Sequence, residues 1–257
     1  MASLTDRSLQ GRRILVTGAS SGIGEAVARA AVAAGASVAV LARRAHLLSA
    51  LAEEIGAVPV PADVTDHPAV AAAVDTAADQ LGGLDALVNS VGITWSGLPL
   101  STDPAVWRRL FDVNVVGTLA VTKAAAPHLL AGVAPSVVTV SSMSGRRVAG
   151  ASSGVYAATK FALHALGEAL RMELQPRGVR VTTLAPGLVR TPILDDVPDS
   201  PWRAALARRI AELGLDPAEV ARAVLHVLSQ PPEVTVVEYA LMPTAQRDHG
   251  FLEPSTE

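Results

Sequence analysis

Two hydrophobic patterns alternate along the chain. Short apolar, β-branched runs at Ile14–Val16, Ser37–Leu41, Val58–Pro61, Ala86–Val88, Val137–Val140, Val179–Leu184 and Val234–Leu241 predict strands. Apolar residues in these runs are nearly continuous, as in strands buried on both faces of a parallel sheet. Between them lie Ala- and Leu-rich stretches near Gly24–Ala34, Leu47–Ile55, Pro68–Leu81, Pro104–Leu130, Val155–Gln175 and Pro217–Ser229, which predict helices. Such alternation builds right-handed βαβ units. The predicted fold is a doubly wound, Rossmann-type α/β domain with a mostly parallel seven-stranded sheet and helices on both faces.

The last helix has a clear start: Asp216 suits the N-cap, Pro217 the first helical position and Glu219 the third. No repeat, low-complexity stretch or linker marks a boundary, so residues 1–257 are expected to form one domain. One segment, Leu188–Trp202, lacks pattern and carries Pro192, Pro198 and Pro201. It follows a predicted strand end, so a substrate lid over about residues 188–215 is expected. The tail, 247–257, is expected to be loose.

Half of the 257 residues are hydrophobic, 18% are charged and the net charge is −3. This balance gives no reason to expect nucleic acid as a partner. Cysteine is absent and the six histidines show no ligand spacing, so no metal site is expected. No apolar run is long enough for a membrane span and Met1–Arg13 lacks a secretory apolar core, so the expected compartment is the cytoplasm.

The first strand runs into Thr17-Gly18-Ala19-Ser20-Ser21-Gly22-Ile23-Gly24 and then a helix. Gly18 suits the tight turn, Gly22 the approach of backbone N–H groups to a pyrophosphate, and Gly24 close helix–strand packing. The helix N-terminus favours phosphate. The spacing is not the commoner G-x-G-x-x-G, and an ordinary βα turn reads the same. The end of the second strand favours a dinucleotide. It leads into Ala42-Arg43-Arg44, where a fold that prefers NAD carries an acid. Guanidinium groups there can pair with a 2′-phosphate, so the expected cofactor is NADP(H). Plain surface arginines are the alternative.

Tyr156 and Lys160 lie four apart in a predicted helix, so both point from one face. A neighbouring cation is expected to lower the phenol pKa and fit the side chain for acid–base work. Ser142 follows the strand Val137–Val140, where its hydroxyl could polarise a carbonyl oxygen; turn chemistry is the alternative.

With these residues in order, the chain resembles the short-chain dehydrogenases/reductases from about Gln10 to Gln246. Thr17–Gly24 looks like their cofactor turn, and Asp63-Val64 resembles the pair that contacts adenine. Asn89-Ser90-Val91-Gly92 is similar to N-N-A-G, and Asn114 sits in an N-V-x-G context. Pro186-Gly187-Leu188-Val189-Arg190-Thr191-Pro192 resembles the segment that holds the nicotinamide. The resemblance implies Tyr156 as acid/base, Lys160 on the nicotinamide ribose and Ser142 on the substrate oxygen. It also implies Asn114 holding a relay water, and Thr191 with the Val189 backbone fixing the carboxamide. Arg43 would select NADP, and the protein would be a homotetramer or homodimer. The site expected from residues and resemblance together is Asn114, Ser142, Tyr156 and Lys160 for catalysis. Gly18, Ser20, Ser21, Gly22, Ile23, Gly24, Arg43, Arg44, Asp63, Val64, Asn89, Gly92, Pro186, Gly187, Val189 and Thr191 join Tyr156 and Lys160 around the cofactor.

Two departures stand out: N-S-V-G, with bulkier Val91, and a Ser142-to-Tyr156 interval one residue longer than is commonest. The end of the chain resembles a subgroup that includes serine and 3-hydroxy acid dehydrogenases and a β-lactam aldehyde reductase. The Ala- and Arg-rich composition fits a GC-rich bacterium, where reductases of the family that the chain resembles often tailor secondary metabolites. The resemblance implies a pocket built from the Gly92–Pro99 loop, the Met143–Val155 loop and the Leu188–Trp202 lid, which here supply Trp95, Met143, Val148, Val155, Leu188, Ile193 and Leu194, with Arg146, Arg147 and Arg190 nearby. The expected function is an NADPH-dependent ketoreductase, acting on a small-molecule carbonyl or the matching alcohol. A non-catalytic NADP-binding sensor or scaffold, or dehydratase or epimerase chemistry on the same fold, are the alternatives.

Overall fold

A computed structural model describes residues 9–246; the tail expected to be loose lies outside them. Seven strands form one sheet: β1 Arg13–Thr17, β2 Ser37–Leu41, β3 Val58–Pro59, β4 Ala86–Asn89, β5 Ser136–Val140, β6 Arg180–Pro186 and β7 Glu238–Leu241. Their order is β3-β2-β1-β4-β5-β6-β7 and every pairing is parallel. Strand order reverses between β1 and β4, which opens a crevice at the carboxyl ends.

Side chains leave each strand on alternate faces, and both faces are covered. Ile14 and Val16 pack on one side with α1 (Gly22–Ala33), α2 (Ala45–Ile55) and α8 (Pro217–Leu228). Leu15 and Leu87 pack on the other with α3 (His67–Leu81), α5 (Thr118–Leu130) and the end of α6 (Gly154–Leu174). Two buried faces explain the continuous apolar runs of the sequence.

The structure departs from the predicted elements in four places. β3 is cut to two residues because Pro59 and Pro61 cannot donate, although Val60 and Ala62 still bond Val40 and Ala42. β7 starts only at Glu238. Val236 and Val237 instead lend their carbonyls to the Thr182 hydroxyl and the Thr183 N–H. The single helix expected over Pro104–Leu130 is α4 (Pro104–Phe111), a π-helical turn (Asp112–Gly117) and then α5. The expected lid contains a helix, α7 (Pro201–Leu213), capped by the Ser200 hydroxyl, which accepts from Arg203 N–H at 3.1 Å.

The lid has a pinned base. Leu215 N–H donates to Leu188 O and Arg190 N–H to Leu215 O, both at 2.9 Å. The Arg190 guanidinium also reaches Gly214 O and Asp216. Residues 191–213 thus leave and rejoin the body at one point.

Candidate active site

Where β1 ends, Gly18 turns the chain with φ of 67°. A Cβ on Gly18 would lie 2.7 Å from Ser90 O, and one on Gly24 would lie 2.5 Å from Gly18 O. Only glycine lets this turn touch the end of β4 and lets α1 begin against it. Thr17 Oγ1 seals the junction by accepting Ser90 N–H at 3.1 Å. Val91 packs into the α3–α5 core and also lines the cleft, so its extra bulk is accommodated there. Ser21 at the α1 N-cap makes no side-chain bond to the first turn, which leaves those N–H groups to an anionic ligand.

Two guanidinium groups stand beside this turn. Arg44 donates through Nε and Nη2 to Ser20 Oγ at 3.1 and 2.9 Å, and through Nη2 to Ser21 Oγ at 2.7 Å. Arg43 Nη1 lies 3.7 Å from Asp63 Oδ2. Burial alone would raise the Asp63 pKa, but the Thr65 N–H and hydroxyl together with Arg43 bring it below the ordinary value.

The cleft is a cavity of about 460 Å³. The expected cofactor residues Gly18, Ser20, Ser21, Gly22, Ile23, Arg43, Arg44, Asp63, Val64, Gly92, Pro186, Gly187, Val189 and Thr191 line it, together with Ser142, Tyr156 and Lys160. Gly24, Asn89 and Asn114 stand behind the lining. Asn89 Nδ2 donates to Thr122 Oγ1 at 3.0 Å.

Asn114 lies in the π-helical turn and is fully buried. Its Oδ1 accepts Ile93 N–H at 2.8 Å, and its Nδ2 donates to Ile93 O at 2.9 Å and to Thr159 Oγ1 at 3.0 Å. Thr159 Oγ1 in turn donates to Tyr156 O at 2.7 Å. One carboxamide therefore ties the loop after β4 to the helix that carries Tyr156 and Lys160. A π turn shifts the helix by one residue, and such turns recur at functional sites.

Tyr156 and Lys160 share one face of α6, with the Lys160 ammonium 5.7 Å from the Tyr156 ring centre. Lys160 Nζ donates to Val140 O at 3.3 Å, and Ser141 Oγ donates to Lys160 O at 3.2 Å. Burial corrects the expected acidity. It pushes the phenol up to about 12, against a smaller downward pull from the Ser142 hydroxyl. The same burial brings Lys160 down to about 8. Each group loses water for its charged form, and that loss is the leading cause in both.

The substrate-side lining agrees in part with the sequence. Trp95, Met143, Leu188 and Ile193 line the cleft; Val148, Val155 and Leu194 do not. Val148 is exposed and Leu194 is buried in the lid. Arg147 lines the cleft, whereas Arg146 pairs with Glu238 and Arg190 with Asp216.

A family model described as short chain dehydrogenase matches residues 12–202. The chain belongs to the short-chain dehydrogenase family. A glycine betaine reductase of Emericella nidulans is 37% identical over 240 residues, which are 91% of this chain but 19% of that much longer protein. A dehydrogenase/reductase from Sinorhizobium meliloti is 32% identical, with a TM-score of 0.82 over 93% of this chain and 96% of its own. A short chain dehydrogenase from Burkholderia cenocepacia, solved in complex with NADP, is also 32% identical. Its TM-score is 0.77 over 91% and 97% of the two chains.

In this short-chain dehydrogenase, sequence reasoning missed Gln246, Leu206 and Ile210. Gln246 Oε1 accepts Leu188 N–H at 2.8 Å beneath the Pro186–Val189 turn, and the side chain lines the cleft. The resemblance at the chain's end, which covers Met242–Gln246, gave it no role. Leu206 and Ile210, one turn apart on α7, also line the cleft. Their signal was present as a Ser-Pro start, an i, i+4 apolar pair and the closing Gly214. Among the described residues no helix is long and apolar enough to cross a membrane, and no acidic or histidine cluster could hold a metal ion.

Proposed function

We propose that this short-chain dehydrogenase is an NADPH-dependent reductase of ketones or aldehydes, or oxidises the matching alcohols, with Tyr156 as the acid/base. The observation that carries the reading is the pairing of Tyr156 with buried Lys160 on one helix face, in the same cleft as the Ser142 hydroxyl and the glycine-rich turn.

The cradle suits a dinucleotide, because a side chain at Gly18 would collide with Ser90 and the α1 N-terminus lacks a side-chain cap. Ser20, Ser21 and the α1 N-terminus would hold the pyrophosphate. Arg43 and Arg44 would hold a 2′-phosphate, and Asp63 and Val64 would meet the adenine. Thr191 and the Val189 backbone would take the carboxamide. The NADP complex of the Burkholderia relative supports this assignment. When bound, the coenzyme supplies the hydride.

The chain's own residues handle the proton. Ser142 donates a hydrogen bond to the substrate carbonyl oxygen and steadies the charge that grows there. With its pKa near 12, Tyr156 is protonated at neutral pH, the form that a donor in reduction needs. Its proton passes to the oxygen, and the Lys160 ammonium stabilises the phenolate left behind. Asn114 keeps the α6 face in place through Ile93 and Thr159, and would hold a water that relays a proton to Lys160.

Exposed Phe111, Val116, Phe161 and Met172, on α4, the π turn and α6, favour a homo-oligomer, a dimer or tetramer. A panel of ketones, aldehydes and alcohols with NADPH and NADH, followed by nicotinamide absorbance, tests the reading. Turnover faster with NADPH supports it. Cofactor binding without turnover of any panel member favours the sensor or scaffold alternative.

A further inference from the structure

Three elements complete the cleft beyond the dinucleotide cradle: the loop after β4, the loop after β5 and the lid. They contribute a wall of Trp95, Met143, Leu188, Ile193, Leu206 and Ile210. The wall has three separate origins in the chain, so it is not the exposed flank of one helix. On α7, Leu206 and Ile210 lie four apart and share one face. No residue of α7 is fully buried, so this face serves the cleft and not the core.

The charges beside this wall carry the decision. These elements bring three charged side chains to the lining: Arg147, Asp195 and Asp196. Arg147 has partners within the protein, although its buried Nη2 makes no hydrogen bond. Arg146, Arg190 and Arg203 are turned to Glu238, Asp216 and Asp199. A carboxylate substrate would meet an apolar wall and two carboxylates against one guanidinium, so it would lose water to enter a lining of net negative charge.

We infer that the substrate is an apolar carbonyl compound without negative charge, held by the Trp95–Met143 side and the underside of α7, and that the lid aspartates reject anionic analogues. This class rests on the reductase reading above. It runs against the resemblance of the chain's end to dehydrogenases of 3-hydroxy acids, whose substrates are anions.

Benzylacetone and its para-carboxylate derivative test the inference, because the added charge is remote from the carbonyl. Calorimetry on the Tyr156→Phe enzyme saturated with NADPH reads binding without turnover. Benzylacetone is expected to bind at least about tenfold more tightly than the carboxylate. In a background that also carries Asp195→Asn and Asp196→Asn, the carboxylate is expected to recover several-fold while benzylacetone changes little. Equal or tighter binding of the carboxylate, or no binding of either compound, overturns the class. Turnover of both by the wild-type enzyme with the carboxylate preferred overturns the class and leaves the reductase reading intact. The expected order of binding, with no turnover of either or of any other carbonyl, overturns the reductase reading alone.

Discussion

Asn114 and Ile93 exchange two hydrogen bonds, one at 2.8 Å and one at 2.9 Å, across the floor of the cleft. The exchange holds the loop after β4 against α6, because the same carboxamide also reaches Thr159. Asn114→Ala leaves the Ile93 N–H and carbonyl without this partner. Misplacing a reacting group by about 1 Å can cost on the order of 100-fold in rate, so kcat is expected to fall by tens-fold or more. The NADPH dissociation constant is expected to change far less, since Asn114 stands behind the lining. Stopped-flow turnover and equilibrium titration of the same variant check this; a loss confined to NADPH affinity contradicts it.

Burial of Lys160 sets a pH limb. Its pKa is brought down to about 8, so the stabilising ammonium is present below that value and lost above it. Tyr156 stays protonated throughout, being raised to about 12. Reductive kcat/KM is therefore expected to fall as pH rises through about 8. A profile with NADPH held saturating measures it, and a flat response across that range contradicts the role given to Lys160.

Arg43 and Arg44 test cofactor choice. Each charge-assisted bond to a 2′-phosphate contributes roughly 1.5–3 kcal/mol. Arg43→Ala and Arg44→Ala are each expected to weaken NADPH about tenfold or more while leaving NADH nearly unchanged. Because Arg44 also bridges Ser20 and Ser21, its removal is expected to loosen the turn slightly for both cofactors. Equal losses for the two coenzymes in the Arg43 variant contradict the phosphate assignment.

At the opposite end of the sheet, Asp85 holds β1, β4 and the loop before β5 together. It accepts from the Arg13 N–H and guanidinium and from Val133 N–H, with a side chain only 3% exposed. Burial works to raise its pKa, but these donors outweigh burial and hold it at about 2. Its contribution is complete above the ordinary carboxylate value and is lost as pH falls towards about 2. Asp85→Asn is expected to lower stability by roughly 2 kcal/mol at neutral pH and to flatten the acid limb of the unfolding curve. Denaturant titrations at neutral and acidic pH check it; an unchanged acid limb contradicts it.

Much of this molecule is legible in its residues alone. Strands with two buried faces write themselves as unbroken apolar runs, and Ile14–Val16 and Val137–Val140 do so. Gly18, Arg43, Ser142, Tyr156 and Lys160 converge on one cleft because strand ends and helix starts are local features. Effects set by distant packing are not legible. The π turn at Asn114 follows from the bonds to Ile93 and Thr159, not from a propensity. The α7 helix does carry local start and stop signals, but its apolar face serves a cleft, which leaves it no core-burying stripe to mark it. The acidity of Tyr156 is misjudged because spacing reveals a neighbouring cation but not the loss of water around both groups.

The most direct measurement is made on Tyr156→Phe, which removes one hydroxyl and keeps the ring. The expected result is a fall in NADPH-dependent carbonyl reduction of at least about 100-fold, the usual scale for a lost acid–base group, with NADPH affinity within a few-fold of wild type. Wild-type turnover in that variant would contradict the assignment of Tyr156 as the proton donor.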